Sequence, residues 1–270
     1  MYNDLFSIGS VTVHGYGLMI AIGVACALII GTVRAKKKGM DTDIILSLGL
    51  IVLIFGFLGA KLLYCIVEWR QLFADPLGAL SGSGFVVYGG IIGGVIAAMV
   101  YCRKKKVRFL EYFDLVIPSV AVAQGFGRIG CLLAGCCYGC ETTLPIGIVF
   151  PDSALAPSGV SLFPTQIFSS AGDFIIALIL ILYARKPRAA GKVGGLYLIL
   201  YSVGRFAIEF FRSDARGSVG FLSTSQFIAI FMLIGGVLLF CMDKLQWAEK
   251  IKKLNPFHKS PDIPSEKSNG

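Results

Sequence analysis

Charged residues are scarce in this sequence. They make up 15% of its 270 residues, whereas 56% are hydrophobic and the mean hydropathy is +0.77. A soluble domain carries about 25% charged residues, so this composition excludes an ordinary water-soluble protein and is typical of a membrane protein. No polar stretch of the chain is long enough to form a separate soluble domain.

Histidine is almost absent as well, with only two residues in the chain. Neither of them is close in sequence to the four clustered cysteines, which are Cys131, Cys136, Cys137 and Cys140. The cysteine spacing matches no common zinc-binding pattern. We interpret the cluster as packing or as a disulfide, with a soft-metal site and thiol catalysis as the alternatives, and we predict no bound metal.

Long hydrophobic runs are abundant in the sequence. Seven of them occur at 16–33, 44–66, 85–102, 112–136, 165–184, 193–212 and 225–242. Each is near the ~20 residues that a helix needs to cross the hydrocarbon core. The sequence therefore predicts an all-α polytopic membrane protein with seven transmembrane helices. The first run begins too late and is too weakly preceded by positive charge for a cleaved signal peptide, so we expect it to remain as the first helix.

Basic residues indicate the orientation of these helices. Of the 25 lysines and arginines, 19 lie in alternate connections and in the tail, at 34–38, 103–108, 185–192 and 244–267. The side of the membrane that is rich in these residues is cytoplasmic, which predicts an amino terminus outside and a carboxyl terminus in the cytoplasm. We expect one transmembrane domain over 1–245 and a polar, disordered cytoplasmic tail over 246–270. The net charge of +9 is thus explained by topology, and we predict no nucleic-acid partner.

Three of the remaining basic residues, Lys61, Arg128 and Arg205, lie inside predicted helices. A rise of 1.5 Å per residue places all three in the outer half of the membrane. Such groups are costly in lipid unless they are paired, and Glu209 follows Arg205 by one helical turn. The excess positive charge predicts a phosphate reached from the outer leaflet, because an arginine fork binds two phosphate oxygens at once.

Structural explanations compete with this hypothesis at several positions. Lys61 and Arg212 have the alternative of reaching the outer interface with their long side chains. Tyr88, at the outer mouth of its helix, fits an interfacial aromatic residue as well as a functional one. His14 fits a solvated loop or a lipid contact. We assign no role to Asp173, since the sequence shows no base opposite it.

Several ordered motifs resemble the prolipoprotein diacylglyceryl transferases of bacteria. They include YGLMIAIG at 16–23, GAKLLY at 59–64, YGGIIGG at 88–94, GRIGCLLAGCCYG at 127–139, FPTQIF at 163–168, YLILYSVGRFAIEFFR at 197–212 and LSTSQ at 222–226. The resemblance covers most of the chain and implies the same topology as the charge pattern, in the bacterial cytoplasmic (inner) membrane.

The resemblance implies transfer of the diacylglyceryl group from phosphatidylglycerol to the lipobox cysteine of prolipoproteins, with release of glycerol 1-phosphate and without a cofactor. It implies catalytic roles for Arg128, Arg205, Tyr88 and Glu209. The lipid-binding residues that it implies are Arg128, Arg205, Tyr16, Lys61, Arg212, Gly89, Gly90 and Gln166, with Arg212 as a contact at the rim. The partners are then phosphatidylglycerol and the preprolipoprotein.

The chain departs from the family pattern at chemically important positions. Many members have histidine at the position of Tyr88, and the usual signature has asparagine, asparagine and glutamate at Cys131, Ala134 and Cys136. A neutral tyrosine is a poor base at pH 7. Two alternatives therefore stand beside the transferase. They are a phospholipid-binding or transferase protein with a different acceptor, and a thiol or metal protein of the membrane.

Overall fold

A computed structural model gives the structure of the chain and describes residues 4–8, 11–82, 84–151, 153, 155–214 and 217–242. Nine helices occur within these residues: α1 (Gly15–Lys37), α2 (Thr42–Val67), α3 (Trp69–Ala74), α4 (Pro76–Ser81), α5 (Val87–Lys104), α6 (Phe109–Ala134), α7 (Thr165–Tyr183), α8 (Lys192–Glu209) and α9 (Thr224–Cys241). The predicted tail, 246–270, lies outside the described residues.

Each of the seven predicted hydrophobic runs forms one long helix. Five of the described helices, α1, α2, α6, α7 and α9, are long and apolar enough to cross a membrane. The chain is therefore a multi-pass membrane protein, as its composition predicts. The seven-span count stays a prediction for α5 and α8, which carry more polar and charged residues. The short helices α3 and α4 were not predicted. α4 begins at Pro76 and is capped by the Asp75 carboxylate, which accepts from the amide of Gly78.

The described residues are mostly helical, as the sequence predicts, and six short strands that were not predicted form three antiparallel pairs. They are β1 (Asp4–Ile8) with β2 (Val11–His14), β3 (Ile148–Val149) with β4 (Ser161–Leu162), and β5 (Ser218–Val219) with β6 (Leu222–Ser223). Chain segments outside the helices still need partners for their backbone groups, and these pairs supply some of them. β3 and β4 belong to the arm between α6 and α7, whose small apolar core is Phe150, Ala156 and Leu162.

Glycines let neighbouring helices approach closely, as two examples show. A Cβ at Gly59 of α2 or at Gly89 of α5 would clash with the carbonyl oxygen of the other residue. At Gly23 of α1, a Cβ would lie 3.0 Å from the carbonyl oxygen of Ala123 in α6. Small residues at helix crossings bring the backbones into van der Waals contact, which drives association in lipid. The α2–α5 and α1–α6 pairs are built in this way.

Polar groups join α1, α6 and α8 around Pro118, which lies inside α6. Proline lacks an amide hydrogen and disturbs the helical hydrogen bonds of the preceding turn. The Arg34 side chain of α1 donates to the carbonyl oxygens of Leu115, at 3.0 Å, and Asp114. The Asp114 carboxylate accepts from the amides of Gly191 and Gly194, at 2.7 Å each, and so caps the start of α8.

Replacing the Asp114 carboxylate is expected to loosen the start of α8. Asp114→Ala leaves two buried amide groups without their acceptor, which costs about 1–3 kcal/mol of unfolding free energy. Reversible unfolding in mixed micelles measures this loss. Glu111→Ala, which changes an exposed acid on the same helix, is the matched control. Equal stability of the two variants would contradict the assigned role of Asp114.

Candidate anion-binding site

Arg128 lies on α6 inside the helix bundle and is partly buried. Its guanidinium interacts electrostatically with Tyr201, Cys131, Asp173 and Cys137. It forms no hydrogen bond or close ion pair with any residue that the structure describes. A guanidinium has five donors, and in an apolar layer these need an acceptor. Among the described residues, Arg128 therefore has electrostatic neighbours but no hydrogen-bond acceptor.

Arg205 of α8 forms the ion pair with Glu209 that the sequence predicts. Its Nη1 lies 2.6 Å from Oε2 of Glu209, and its Nη2 donates to the Ser225 hydroxyl of α9 at 2.7 Å. Both members of the ion pair are buried. Arg205 is thus held in one orientation by a partner on its own helix and by a partner on the next.

Asp173 of α7 was missed, and the expectation that no base lies opposite it is wrong. Its side chain is buried and interacts electrostatically with Arg128 and Arg205. Its Oδ2 has no hydrogen-bond partner among the described residues. The two arginines come from α6 and α8, so sequence spacing does not reveal the contact. The available signal was an acidic residue within a hydrophobic run, which is by itself an indication of function.

Tyr16 lies beside this region, in the first turn of α1. A Cβ at Gly130 of α6 would lie 3.1 Å from Cδ2 of Tyr16, so the tyrosine ring packs against that glycine. Tyr16 is 42% exposed and interacts electrostatically with Arg128. The exposed His14 immediately precedes α1. The fold therefore brings the partly exposed Tyr16 into the electrostatic neighbourhood of Arg128.

Arg212 is buried rather than placed at a rim. Its side chain is 3% exposed and forms two hydrogen bonds of 3.0 Å to the carboxylate of Asp214. Burial lowers the pKa of the Arg212 guanidinium, but hydrogen bonds to Asp214 and to the Cys137 thiol outweigh this effect and raise the pKa above its usual value. The arm after α6 runs alongside this residue, with Gly139 opposite Arg212 in a β-bridge, and covers it.

Gln166 of α7 is almost fully buried and fixes the end of α6. Its Nε2 donates to the carbonyl oxygen of Cys136 at 2.8 Å, while its Oε1 has no hydrogen-bond partner among the described residues. A cavity of about 270 Å³ lies between α6 and α7. It is lined by Ile129, Leu132, Gln166, Ile167, Ser170, Ala171 and Phe174. The lining is mainly apolar.

The other predicted residues belong to the α2–α5 pair, and no hydrogen bond or ion pair joins them to Arg128 among the described residues. Lys61 Nζ donates to the carbonyl oxygens of Gly82 and Gly84, and its charge lies over the rings of Tyr64 and Phe85. Tyr88 is partly buried in the first turn of α5. Gly89 and Gly90 pack against α2. Close helix packing accounts for these two glycines without a ligand.

The apolar helices define a class: a multi-pass membrane protein, which here carries an arginine inside its helix bundle. The sequence pattern of the family described as prolipoprotein diacylglyceryl transferase matches residues 3–242. The chain therefore belongs to the prolipoprotein diacylglyceryl transferase family, which confirms the resemblance seen in the motifs.

Named relatives agree with this assignment. The chain is 51% identical over 236 residues to the phosphatidylglycerol–prolipoprotein diacylglyceryl transferase 2 of Clostridium perfringens, covering 87% of this chain and 92% of the relative. It is 50% identical over 244 residues to the corresponding transferase of Clostridium tetani, covering 90% and 98%. A transferase of the same name from Finegoldia magna is 33% identical over 238 residues, covering 87% and 92%.

Removing the charge of Asp173 is expected to make the protein depend on a bound anion. In Asp173→Asn, two buried arginines lose a shared counter-charge, so the ligand-free protein should melt at a lower temperature than the wild type. Added glycerol 1-phosphate should then raise the melting temperature more in the variant than in the wild type. Glu111→Gln is the control, because Glu111 lies in the first turn of α6, whereas Arg128 lies near the other end of that helix. An equal rise in melting temperature for the wild type and Asp173→Asn would refute the electrostatic interaction of Asp173 with the two arginines.

Proposed function

We propose that this chain transfers the diacylglyceryl group of phosphatidylglycerol to the thiol of the lipobox cysteine in prolipoproteins and releases glycerol 1-phosphate. The names of its relatives support this reaction. The observation that carries the proposal is the guanidinium of Arg128, which lies in an apolar bundle without a hydrogen-bond partner among the described residues. It supplies the fixed positive charge that a leaving phosphate requires.

The reaction forms a bond between sulfur and the glyceryl carbon and breaks the bond between that carbon and a phosphate oxygen. Negative charge grows on the phosphate as the bond breaks, and the thiol proton passes to a base or to the product phosphate. Donors already aimed at this charge lower the barrier, because they need not reorganise during the reaction. Arg128 binds two phosphate oxygens with its planar fork in this mechanism.

Arg205 acts as the second donor toward the phosphate, with Glu209 and Ser225 fixing its orientation. The ion pair of 2.6 Å and the hydrogen bond of 2.7 Å support this role, since a guanidinium held from two sides loses little entropy on binding. Tyr16 contacts the lipid head group from the open side of Arg128. Gln166 lines the apolar cavity between α6 and α7, where an acyl chain lies.

Lys61, Tyr88, Gly89 and Gly90 act from the α2–α5 pair, and Arg212 acts from beneath the arm that follows α6. We propose that Lys61, Gly89, Gly90 and Arg212 contact phosphatidylglycerol. We propose that Tyr88 is a catalytic group. In this proposal Lys61 Nζ exchanges a hydrogen bond to the carbonyl oxygen of Gly82 or Gly84 for one to the lipid head group. Arg212 stabilises the site from a buried position through Asp214, rather than from the rim.

The chain spans the bacterial cytoplasmic membrane seven times, with the amino terminus outside and the carboxyl terminus in the cytoplasm. Packing supports this topology, because the ends that carry the basic clusters lie together. Ala35, Cys102 and Tyr112, near the basic ends of α1, α5 and α6, share one buried cluster. Arg128 and Tyr16 lie toward the opposite end of the bundle, where the outer leaflet supplies the lipid.

Loss of the Arg128 guanidinium is expected to abolish transfer. Arg128→Ala should lower the rate by about 10²–10³-fold or more, since a fixed donor to the developing charge is lost. Arg128→Lys should recover only part of it, because an ammonium cannot bind two oxygens in one plane. The measurement is transfer of labelled diacylglyceryl from phosphatidylglycerol to a lipobox peptide, in membranes depleted of the host transferase.

Arg70→Ala, on the short helix α3, is the matched control and should transfer at the wild-type rate. Full activity of Arg128→Ala would refute the proposed site. A correctly folded wild-type protein that moves no label to the peptide thiol would refute the proposed acceptor.

The phenol of Tyr88 is expected to take part in proton transfer in place of the usual histidine. Tyr88→Phe should lower the transfer rate by about 10²-fold, which is typical for loss of a general acid or base. Tyr88→His should keep activity and move the pH dependence of the rate toward neutral pH, since imidazole titrates there. The same labelled-lipid assay measures both. Wild-type rates in Tyr88→Phe would show that Tyr88 is only an interfacial aromatic residue.

A further inference from the structure

Three cysteines converge at the end of α6. The Sγ atoms of Cys131, Cys136 and Cys137 lie within 4.8 Å of one another, and none of them forms a disulfide. Sulfur atoms bound to one metal ion lie about 4 Å apart, given bonds of ~2.3 Å. The three thiols are therefore almost in place for a common ion. Neither the transferase reaction nor the packing of α6 requires this convergence.

The backbone turns in an unusual way to bring the thiols together. α6 ends at Gly135, which adopts the left-handed conformation with φ +69°, and the amide of Cys136 bonds back to the carbonyl oxygen of Cys131 at 3.1 Å. Cys137 follows with φ +61°. A left-handed conformation costs a residue with a side chain roughly 1–2 kcal/mol. Such strain persists where the surroundings impose it, and it concentrates at functional sites.

Two buried side chains of α7 impose this turn. Thr165 Oγ1 donates to the carbonyl oxygen of Cys137 at 2.7 Å, and Gln166 Nε2 donates to that of Cys136 at 2.8 Å. Thr165 and Gln166 are 0% and 1% exposed. Both peptide carbonyls are therefore fixed by rigid partners. The result is a preorganised arrangement in which the strained Cys137 directs its thiol toward the other two.

Two arginines lie near the cluster, and the positive charge of Arg212 favours the thiolate form of Cys137. Arg212 hydrogen-bonds to the Cys137 thiol, and Arg128 interacts electrostatically with Cys131 and Cys137. Three thiolates and one monovalent cation carry a net charge of −2. Arg212 also binds Asp214 and Arg128 also faces Asp173, so the two arginines offset part of that negative charge.

We propose that Cys131, Cys136 and Cys137 form a binding site for one thiophilic cation of low coordination number, such as Cu(I). Thiolate ligands select soft ions, and three of them suit Cu(I). A structural zinc site needs four protein ligands, and among the described residues the cluster offers three. Binding displaces the remaining thiol protons to solvent. The ion lies beside Arg128 and its thiolates attract that guanidinium, so a filled site competes with phosphate.

The binding test uses the full chain in detergent micelles, reduced and then freed of reductant without oxygen. The protein is titrated with Cu(I) against bicinchoninate, a coloured Cu(I) chelator. The wild type should retain one equivalent. Cys131→Ser and Cys137→Asn should each weaken binding by more than ~100-fold, since loss of a ligand exceeds the 10–100-fold effect of losing an outer partner. Asparagine tolerates the left-handed conformation, so Cys137→Asn removes the thiol and keeps the turn.

Two other cysteine variants serve as controls. Cys140→Ser changes an exposed thiol three residues from the cluster, and Cys26→Ser changes a distant one in α1. Both should bind like the wild type, and the melting temperature of each variant checks its fold. Absence of a retained equivalent in the wild type would overturn the proposal. So would a disulfide between cluster cysteines that resists mild reduction, or equal loss of Cu(I) in Cys140→Ser.

The inhibition test rests on the proposed function, whereas the binding test does not. Stoichiometric Cu(I) should lower lipid transfer by the wild type and by Cys140→Ser at least tenfold. Cys136→Ser should be unaffected relative to its own rate without metal. A wild type that binds Cu(I) and transfers at full rate would overturn the coupling to Arg128. A wild type that binds Cu(I) but never transfers would instead count against the transferase.

Discussion

The structure depends on one constraint: polar groups inside an apolar layer must find partners within the protein. The groups around Pro118 satisfy this constraint. Arg34 donates to two carbonyl oxygens of α6, and the Asp114 carboxylate caps the start of α8. These contacts join α1, α6 and α8 at the end that carries the basic clusters. Because hydrophobic burial distinguishes little between lipid and other helices, such bonds fix the arrangement of these helices.

The same constraint gives Arg128 its importance. Arg205 is paired with Glu209 and Arg212 with Asp214, both within a few residues of sequence, so each has its partner as soon as the local chain folds. Arg128 faces Asp173 across the bundle without a hydrogen bond or close ion pair among the described residues. Arg128 is therefore the arginine to which we assign the phosphate in the proposed mechanism.

Features of the site that depend on residues close together in the chain can be predicted from the sequence. Contacts between segments far apart in the chain cannot. The long helices follow from hydrophobic runs of the required length, and the Arg205–Glu209 pair follows from its spacing of four residues. The contacts of Asp173 with Arg128 and of Arg212 with Cys137 join segments that are far apart in the chain. The strands β3 to β6 escaped prediction because a strand of two residues has no periodicity, whereas β1 and β2 are longer. The Gly9–Ser10 dipeptide between two β-rich runs was the one usable signal for the first of them.

The charges near Arg128 balance in number. Arg128, Arg205 and Arg212 face Asp173, Glu209 and Asp214, of which the sequence argument counted only Glu209. Two of these pairs form a close ion pair or hydrogen bonds, and the pair of Arg128 with Asp173 does not. Arg128 interacts electrostatically with Cys131 and Cys137, and Arg212 hydrogen-bonds to the Cys137 thiol. Negative charge on these thiols therefore weakens the attraction of both arginines for the phosphate that we propose as the ligand.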